Sequence, residues 1–510
     1  MPFKALSNRE KKEKDSFLLN SHKTKRSQSA LEYMMTYGWA ILIIVIVAVI
    51  LYSMGIFNPS SSITFTSSGF SPFTVSSSLC NNIGYKIAVL AGPIPNNANS
   101  ITINKVFLTS ATGANTTTAS YTLTSPVTLK SGQSATILIP NVACNSANIH
   151  YSLSAKIQYS YDVPTIGLQT VNTTGTVAGT SITGKPSTLT SYEPITITNS
   201  QSSATPNPFQ QMVNFTSSDP GFSSIATGNF GQNVEFFYYN GTIIPSWLEN
   251  YTSTNATWWV KIATIPGGSS ETVYIGFAPK ATNLFNTVND GEAPQIPCGS
   301  TPTSSCSNYA EYDDGDSVFN FYSDFKGTSL NLSKWNYLSS ATFTVDNSFL
   351  IYNSFNYNSF VLSSKQYFDN LSIFGTYSQF YTNETSCPYL LWDNGPNNYK
   401  VIRIGGSDCY VHYAGYPDSH FNTPYNAHLS SEPELFYIIP KNFTYLEGFY
   451  NNIYLGTFYY NDPSGNPSFN VDLVFGNGVD PAQFVKTYYV FVGSPIPNGV
   501  MPFVSFGSVA

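Results

Sequence analysis

Hydrophobic and polar positions divide the chain into one continuous apolar run and a long remainder of short alternating runs. The continuous run covers residues 39–52, within a weakly polar segment 33–57. As a helix rising roughly 1.5 Å per residue, such a segment would cross a bilayer core of about 30 Å. A membrane helix is therefore expected there. Beyond it the pattern changes to period two, as in residues 85–90, 101–108, 135–139 and 151–157, with Gly, Pro and Asn clusters between. That alternation predicts antiparallel strands with one buried face. A spacer at 58–62 leads into this first β region, and a Gly, Ser and Thr-rich stretch, 175–190, reads as the linker that ends it. A second set of strands is expected at 194–199, 213–215, 233–237, 244–249, 258–262 and 273–277. A third unit opens at 318–325 and closes at 486–492, with enough alternating segments between for a two-sheet roll. No internal repeat or heptad is present.

The expected fold is thus mainly β: an N-terminal hydrophobic helix followed by three β-sandwich-like domains. The boundaries read as a basic leader 1–27, the helix 28–57, a first sandwich 58–185, a middle sandwich 191–290, a connector 291–316 holding two cysteines and several acids, and a last unit 317–510. Composition supports strands over helices: only 10% of residues are charged while 15% are aromatic, which suits pleated, half-buried surfaces.

Charge orients the chain. The first 27 residues carry eight Lys or Arg against three acids, a net of +5, and the remainder is left at −12. A basic leader stays on the cytoplasmic side, so the acidic bulk is expected outside. No basic stripe exists to neutralise phosphates, so nucleic acid is not an expected partner. All six cysteines, Cys80, Cys144, Cys298, Cys306, Cys387 and Cys409, lie after the helix, on the side where disulfides persist. Fifteen connectivities are open. The simplest pairs neighbours within a domain: Cys80 with Cys144, Cys298 with Cys306, Cys387 with Cys409. Ten Asn-x-Ser/Thr acceptor sequences, at Asn115, Asn172, Asn214, Asn240, Asn250, Asn255, Asn331, Asn370, Asn383 and Asn442, also follow the helix. They would fit a glycosylated exterior.

The stretch Lys25-Arg26-Ser27-Gln28-Ser29-Ala30-Leu31-Glu32-Tyr33 before the apolar run resembles the class III signal peptide of archaeal type IV pilins. The resemblance implies cleavage between Ser27 and Gln28 by a prepilin-type peptidase, with Arg26 as the basic residue before the cut, and a helix retained on the mature chain. It also implies that Glu32 neutralises a neighbouring N-terminal amine as helices pack with other pilin subunits. The alternatives from the residues themselves are an uncleaved signal-anchor with Glu32 at headgroup level, or ordinary secretion with cleavage after Gly55. In position and character the first β region resembles an archaeal pilin head. The order of strands in 191–290, with Trp247, Trp258 and Trp259, looks like the domain of unknown function 2341, a module that brings no catalytic residues. The motif Asp324-Phe325 followed by Lys334-Trp335 resembles the opening of concanavalin-like jelly rolls.

Candidate chemistry is sparse. Glycoside hydrolysis needs two facing carboxylates, and the acids of the last unit, among them Glu432, Glu434 and Glu447, are scattered; an enzyme is not expected. Asp313, Asp314 and Asp316 around Gly315 offer the hard oxygens a calcium ion takes, with a solvated acidic turn as the simpler expectation; no other cofactor is implied. His412, His420 and His428 lie near Cys409 and Asp418 without metal-ligand spacing. Aromatic and amide-rich segments such as 392–399 could stack on sugars, or simply fill a core. The whole reads as an exported, single-pass, membrane-inserted, pilin-like surface subunit, minor or at a filament tip. Its N-terminus is cytoplasmic and its outer modules are adhesive, facing glycans or another cell surface. The alternative is an anchored carbohydrate-binding protein or glycosidase that does not assemble.

Overall fold

The computed structural model describes residues 37–39, 41–47 and 65–510, less 117–119, 141, 299–305, 338–342, 353–358, 370, 382–389, 394–398, 405–410, 416–431, 443, 460–467, 470–471 and 476–483. Residues 37–39 and 41–47 are helical and exposed. Among the described residues no helix is long and apolar enough to cross a membrane. The remainder of the expected membrane segment, with Arg26, Ser27, Gln28 and Glu32, lies outside the described residues, as do Cys387, Cys409, His420 and His428. The rest is mainly β, in two compact units, residues 1–183 and 184–510.

In the first unit the alternation becomes burial. Along His150–Val163, Tyr151, Leu153, Ala155, Ile157 and Tyr159 point inward and their neighbours outward. This strand is the middle of a five-stranded antiparallel sheet, ordered Phe65–Gly69, Gly167–Thr180, His150–Val163, Ile101–Thr112, Ser120–Leu129. A three-stranded sheet, Phe73–Cys80, Tyr85–Ala91 and Ser134–Ile139, contributes Val75, Ile87, Val89 and Ile137 to the same core. Each such buried side chain stabilises by about 1.5–3 kcal/mol. The Cys80–Cys144 disulfide ties the end of an early strand to a late segment of this unit. Inside the core the Ser78 and Tyr151 hydroxyls hydrogen-bond at 2.9 Å. Tyr151→Phe leaves Ser78 without that partner, and urea unfolding should show a loss of about 1–2 kcal/mol.

The linker expected at 175–190 holds the boundary between the two units, at 183/184, but is shorter than expected. Gly175 and Gly179 belong to the strand Gly167–Thr180. A Cβ on Gly175 would fall 2.3 Å from the Phe70 ring, and one on Gly179 would fall 2.7 Å from the Tyr151 hydroxyl. These glycines admit a close neighbour and do not mark a hinge.

The second unit departs further from the expected boundaries. Two four-stranded sheets are built mostly from residues 191–292: Val234–Tyr238, Ser269–Phe277, Ser191–Asn199 and Phe503–Phe506 in one, Phe209–Thr216, Asn255–Ile262, Ser246–Tyr251 and Asp290–Glu292 in the other. The strand Phe503–Phe506 comes from the far end of the chain and pairs antiparallel with Ile195–Thr198. Beyond it Tyr192 and Ala510 exchange two backbone hydrogen bonds, 2.9 and 3.0 Å. Between these limits lies the two-sheet roll. Its eight-stranded sheet centres on Phe484–Pro495, which pairs with Phe321–Ser323, Leu350–Tyr352 and Ser372–Tyr381. A six-stranded sheet runs from Trp335–Tyr337 to Val411–Gly415. The expected closing strand is therefore central, and the roll is an insertion within the smaller module.

One core joins them. Trp247 packs edge-on to Phe319 and Tyr489, both at 5.3 Å, and Trp259 lies 5.8 Å from Phe491. Gln210 accepts from the Ser494 amide at 2.7 Å and donates to the Val318 carbonyl at 2.9 Å. Of the stretch 291–316, expected as a connector, Ala293, Tyr309 and Ala310 belong to this core; Asp290–Glu292 runs parallel to Ser246–Leu248, and the Cys298–Cys306 disulfide follows. The separate domains expected at 191–290 and 317–510 are thus a single compact unit, because neither could bury its large aromatics alone.

Candidate functional site

A cavity of about 520 Å³ opens where the smaller module and the roll meet inside the second unit. Glu249, Asn250 and Tyr251 reach it from the end of Ser246–Tyr251, Tyr377 and Tyr489 from the two central strands of the large sheet, and Glu432 from the approach to Glu434–Pro440. Gln295 and Asn451 complete its polar lining. The sequence sets this up locally. Trp247 and Glu249 are two apart on one strand, which in an ordinary pleat would place both on one face. A bulge between Leu248 and Asn250 then re-aims the strand end toward the cavity.

Glu249 is fully buried, and burial pushes its carboxyl up to about 7 against the pull of two hydrogen bonds. The Trp259 indole N–H donates to Oε1 at 2.8 Å, and the Asn452 amide donates to Oε2 at 3.2 Å. Gln295 is held by donating to the Glu249 carbonyl at 3.0 Å. The Tyr489 hydroxyl and Gln295 Oε1 are each buried without a hydrogen-bond partner, and the two side chains are close enough for Gln295 to favour the charged form of Tyr489. Tyr377 stacks on Tyr489 at 5.4 Å, and Tyr251 lies flat on Phe230 at 4.2 Å. Fixed rings beside unsatisfied polar atoms suit a ligand with both apolar faces and hydroxyls.

A second polar cluster lies among the buried acids of the same unit. Asp313 accepts from the Trp247 indole at 2.8 Å, the Tyr322 hydroxyl at 2.8 Å and the Gly315 amide at 3.0 Å. Asp314 is 1% exposed, and neither of its carboxyl oxygens has a partner. Asp316 faces outward and pairs with Lys334. The three aspartates proposed for calcium therefore diverge, and the alternative of a solvated turn is corrected as well, since Asp314 is buried and the half-buried Asp313 is hydrogen-bonded to Trp247 and Tyr322. Among the described residues no group of three His, Cys, Asp or Glu could hold a metal ion. Burial raises Asp290 and Glu292 to about 8, with Glu235 charge adding to the first and Glu311 and Asp313 to the second. Asp314 is raised well above its ordinary value, by burial and then by Asp313 and Asp290.

Of the other residues singled out in the sequence, Trp335 is a core residue, bonded through its indole to Ser323 at 3.1 Å. His412 falls in the strand Val411–Gly415. Glu434 is buried and accepts from the Tyr450 hydroxyl, and Glu447 pairs with Lys441. Glu249, Gln295 and Tyr489 were not anticipated. The available signal was the acid at the end of an aromatic strand, Trp247-Leu248-Glu249, where alternation points a carboxyl inward.

Comparison with known proteins gives partial likenesses. The chain is 32% identical over 139 residues to "Uncharacterized protein 562" of Sulfolobus islandicus rod-shaped virus 1, an alignment covering 26% of this chain and 22% of that protein. Among solved structures it is similar to β-agarase A of Zobellia galactanivorans (11% identity, TM-score 0.27, 35% of this chain and 91% of that one). It is also similar to a glycosyl hydrolase family 16 protein of Mycobacterium smegmatis (12% identity, TM-score 0.23, 34% and 99%). At those TM-scores the likeness carries no argument about this chain. Residues 230–293, which hold most of the cavity's strand from the smaller module, match the family described as Domain of unknown function (DUF2341).

Proposed function

We propose that this is an exported surface protein whose second unit binds a neutral carbohydrate in the cavity lined by Glu249, Tyr251, Gln295, Tyr377 and Tyr489. The observation that carries the reading is the cavity itself, with aromatic walls and the unpaired Tyr489 hydroxyl and Gln295 oxygen within it. Pyranose faces pack on rings while hydroxyls satisfy buried polar atoms, which are costly when left alone. The two disulfides support an exterior location. Binding is proposed without turnover: Glu249 is buried, and each of its oxygens accepts a hydrogen bond, from Trp259 and from Asn452, which suits a carboxyl that holds the cavity wall.

A glycan array probed with the full chain tests this. Binding to at least one neutral glycan class is expected, with no reducing ends released. Tyr251→Ala should weaken that binding roughly tenfold, about 1.4 kcal/mol. An empty array, or an affinity indifferent to both Tyr251→Ala and Gln295→Ala, would overturn the reading.

The mode of attachment is proposed from the sequence: processing between Ser27 and Gln28, Glu32 in a helix bundle, and a minor or tip position in a pilin-like filament. A carboxylate in an apolar bundle is costly unless paired, which the mature amine would provide. Mass spectrometry of the mature N-terminus decides it. A chain starting at Gln28 supports assembly, and one starting at Met1 makes Glu32 an interfacial residue of a simple anchor.

A further inference from the structure

We propose that, of the acceptor asparagines the structure describes, Asn240, Asn331 and Asn442 carry N-linked glycans and those lying in strands do not. The proposal rests on the exterior reading above. Eight of the ten acceptor sequences have their asparagine among the described residues, and they divide by backbone. Asn115, Asn172, Asn214, Asn250 and Asn255 lie in strands, while Asn240, Asn331 and Asn442 lie outside strands; all but the half-buried Asn255 are exposed, so backbone alone separates the two sets.

In those three the asparagine side chain reaches the residue two positions on. Asn240 Oδ1 accepts the Thr242 amide at 3.1 Å. Asn331 Oδ1 accepts both the Ser333 amide, at 3.0 Å, and the Ser333 hydroxyl, at 2.7 Å. Asn442 Oδ1 accepts the Thr444 amide at 2.8 Å and the Tyr445 amide at 2.9 Å. Each asparagine thus contacts the hydroxyl-bearing residue two positions on, the pairing that defines an Asx turn, and Asn442 reaches Tyr445 as well. A strand sequence cannot do this. Asn172 is paired opposite Gln158 and Asn214 opposite Thr257, their neighbours committed to the ladder on both sides, and an extended backbone carries the residue two on away from the carboxamide.

The chemistry needs that turn. An amide nitrogen is a poor nucleophile because its lone pair is delocalised into the carbonyl, so the transferring enzyme must grip the carboxamide and the Ser or Thr together in a protruding loop. In the step, Nδ2 forms a bond to the anomeric carbon of a phosphate-linked oligosaccharide. The bond from that carbon to the phosphate oxygen breaks, one Nδ2 proton goes to a base, and the lipid phosphate leaves. No electrons change hands, and the co-substrate is a polyprenyl-phosphate-linked glycan. Asn250 adds a constraint of its own, because it lines the carbohydrate cavity, and a glycan there would fill the space a ligand needs.

Intact glycopeptide mass spectrometry on the full chain, recovered from the cells that make it, tests the assignment alongside the oxidation state of Cys80, Cys144, Cys298 and Cys306. Glycan is expected on the three turn asparagines, and Asn240→Gln, Asn331→Gln and Asn442→Gln should each remove one glycan mass. Glycan on Asn115, Asn172 and Asn214 in place of the turn sites, or none anywhere on a chain with oxidised cysteines, would overturn the proposal. Reduced cysteines with no glycan would overturn the exterior reading along with it. Glycan on Asn250 as well as the turn sites would defeat the restriction to turns and the cavity reading together.

Discussion

Trp247→Ala should cost the second unit about 3–5 kcal/mol and should loosen the smaller module and the roll together. The indole is fully buried, packs edge-on to Phe319, Tyr322 and Tyr489, and donates its N–H to Asp313. Truncation therefore removes a large apolar body and leaves a buried carboxyl short of a donor, two penalties that add. Hydrogen exchange reads the coupling. Strands Asn255–Ile262 of the module and Phe484–Pro495 of the roll should lose protection at the same denaturant concentration. Protection lost in the module while the roll keeps its own would contradict a shared core. The exposed Tyr454 serves as a control, where truncation to Ala should change stability by no more than about 0.5 kcal/mol.

Stability of the same unit should fall as pH rises from about 4 to 8. Burial raises Glu235 and Glu249 to about 7 and Asp290 and Glu292 to about 8, and it raises Asp313, Asp314 and Asp324 as well. Between the ordinary carboxyl range and these values the folded chain keeps protons that the unfolded chain has released. The stabilisation is therefore complete below about pH 4 and is lost as pH rises through the raised values, since unfolding then releases charge into water. The thermal midpoint should drop on the order of 10 °C between pH 4.5 and 8.5. Asp314→Asn should recover part of that drop at pH 8.5 and change little at pH 4.5, because neither oxygen of Asp314 has a hydrogen-bond partner to lose. A midpoint that rises with pH would show that these carboxyls are ionised in the folded chain.

Alternation told most where one face of a strand is buried and the other wet. Tyr151, Leu153, Ala155 and Ile157 are spaced two apart and form one wall of the first core, so their strand is plain from the residues. Glycine told less. Gly175 looked like a linker residue because its lack of a side chain permits bending, but here it admits the Phe70 ring, a partner more than 100 residues away that no local pattern names. The acids misled for a related reason. Asp313 and Asp314 beside Gly315 have the composition of a solvated turn, and only their aromatic surroundings, Trp247 from a distant strand and Tyr322 from the next one, show that the turn packs into the core. The cavity was hidden likewise: Glu249, Gln295, Tyr377 and Tyr489 are spread over some 240 positions of sequence, and only the insertion of the roll gathers them. Phe503–Phe506 could be read as a strand, but its partner, Ser191–Asn199, lies at the other end of the unit.

That returning strand makes the second unit a transplantable cassette. Its first strand and its last lie side by side, with Tyr192 and Ala510 in mutual hydrogen bonds, so its two ends stand about one strand spacing, roughly 5 Å, apart. A host protein could receive residues 191–510 in a surface hairpin by parting two adjacent positions, with short joints and no change in the host's own path. Spliced that way, the cavity would travel whole, since every residue that lines it sits between the two joints.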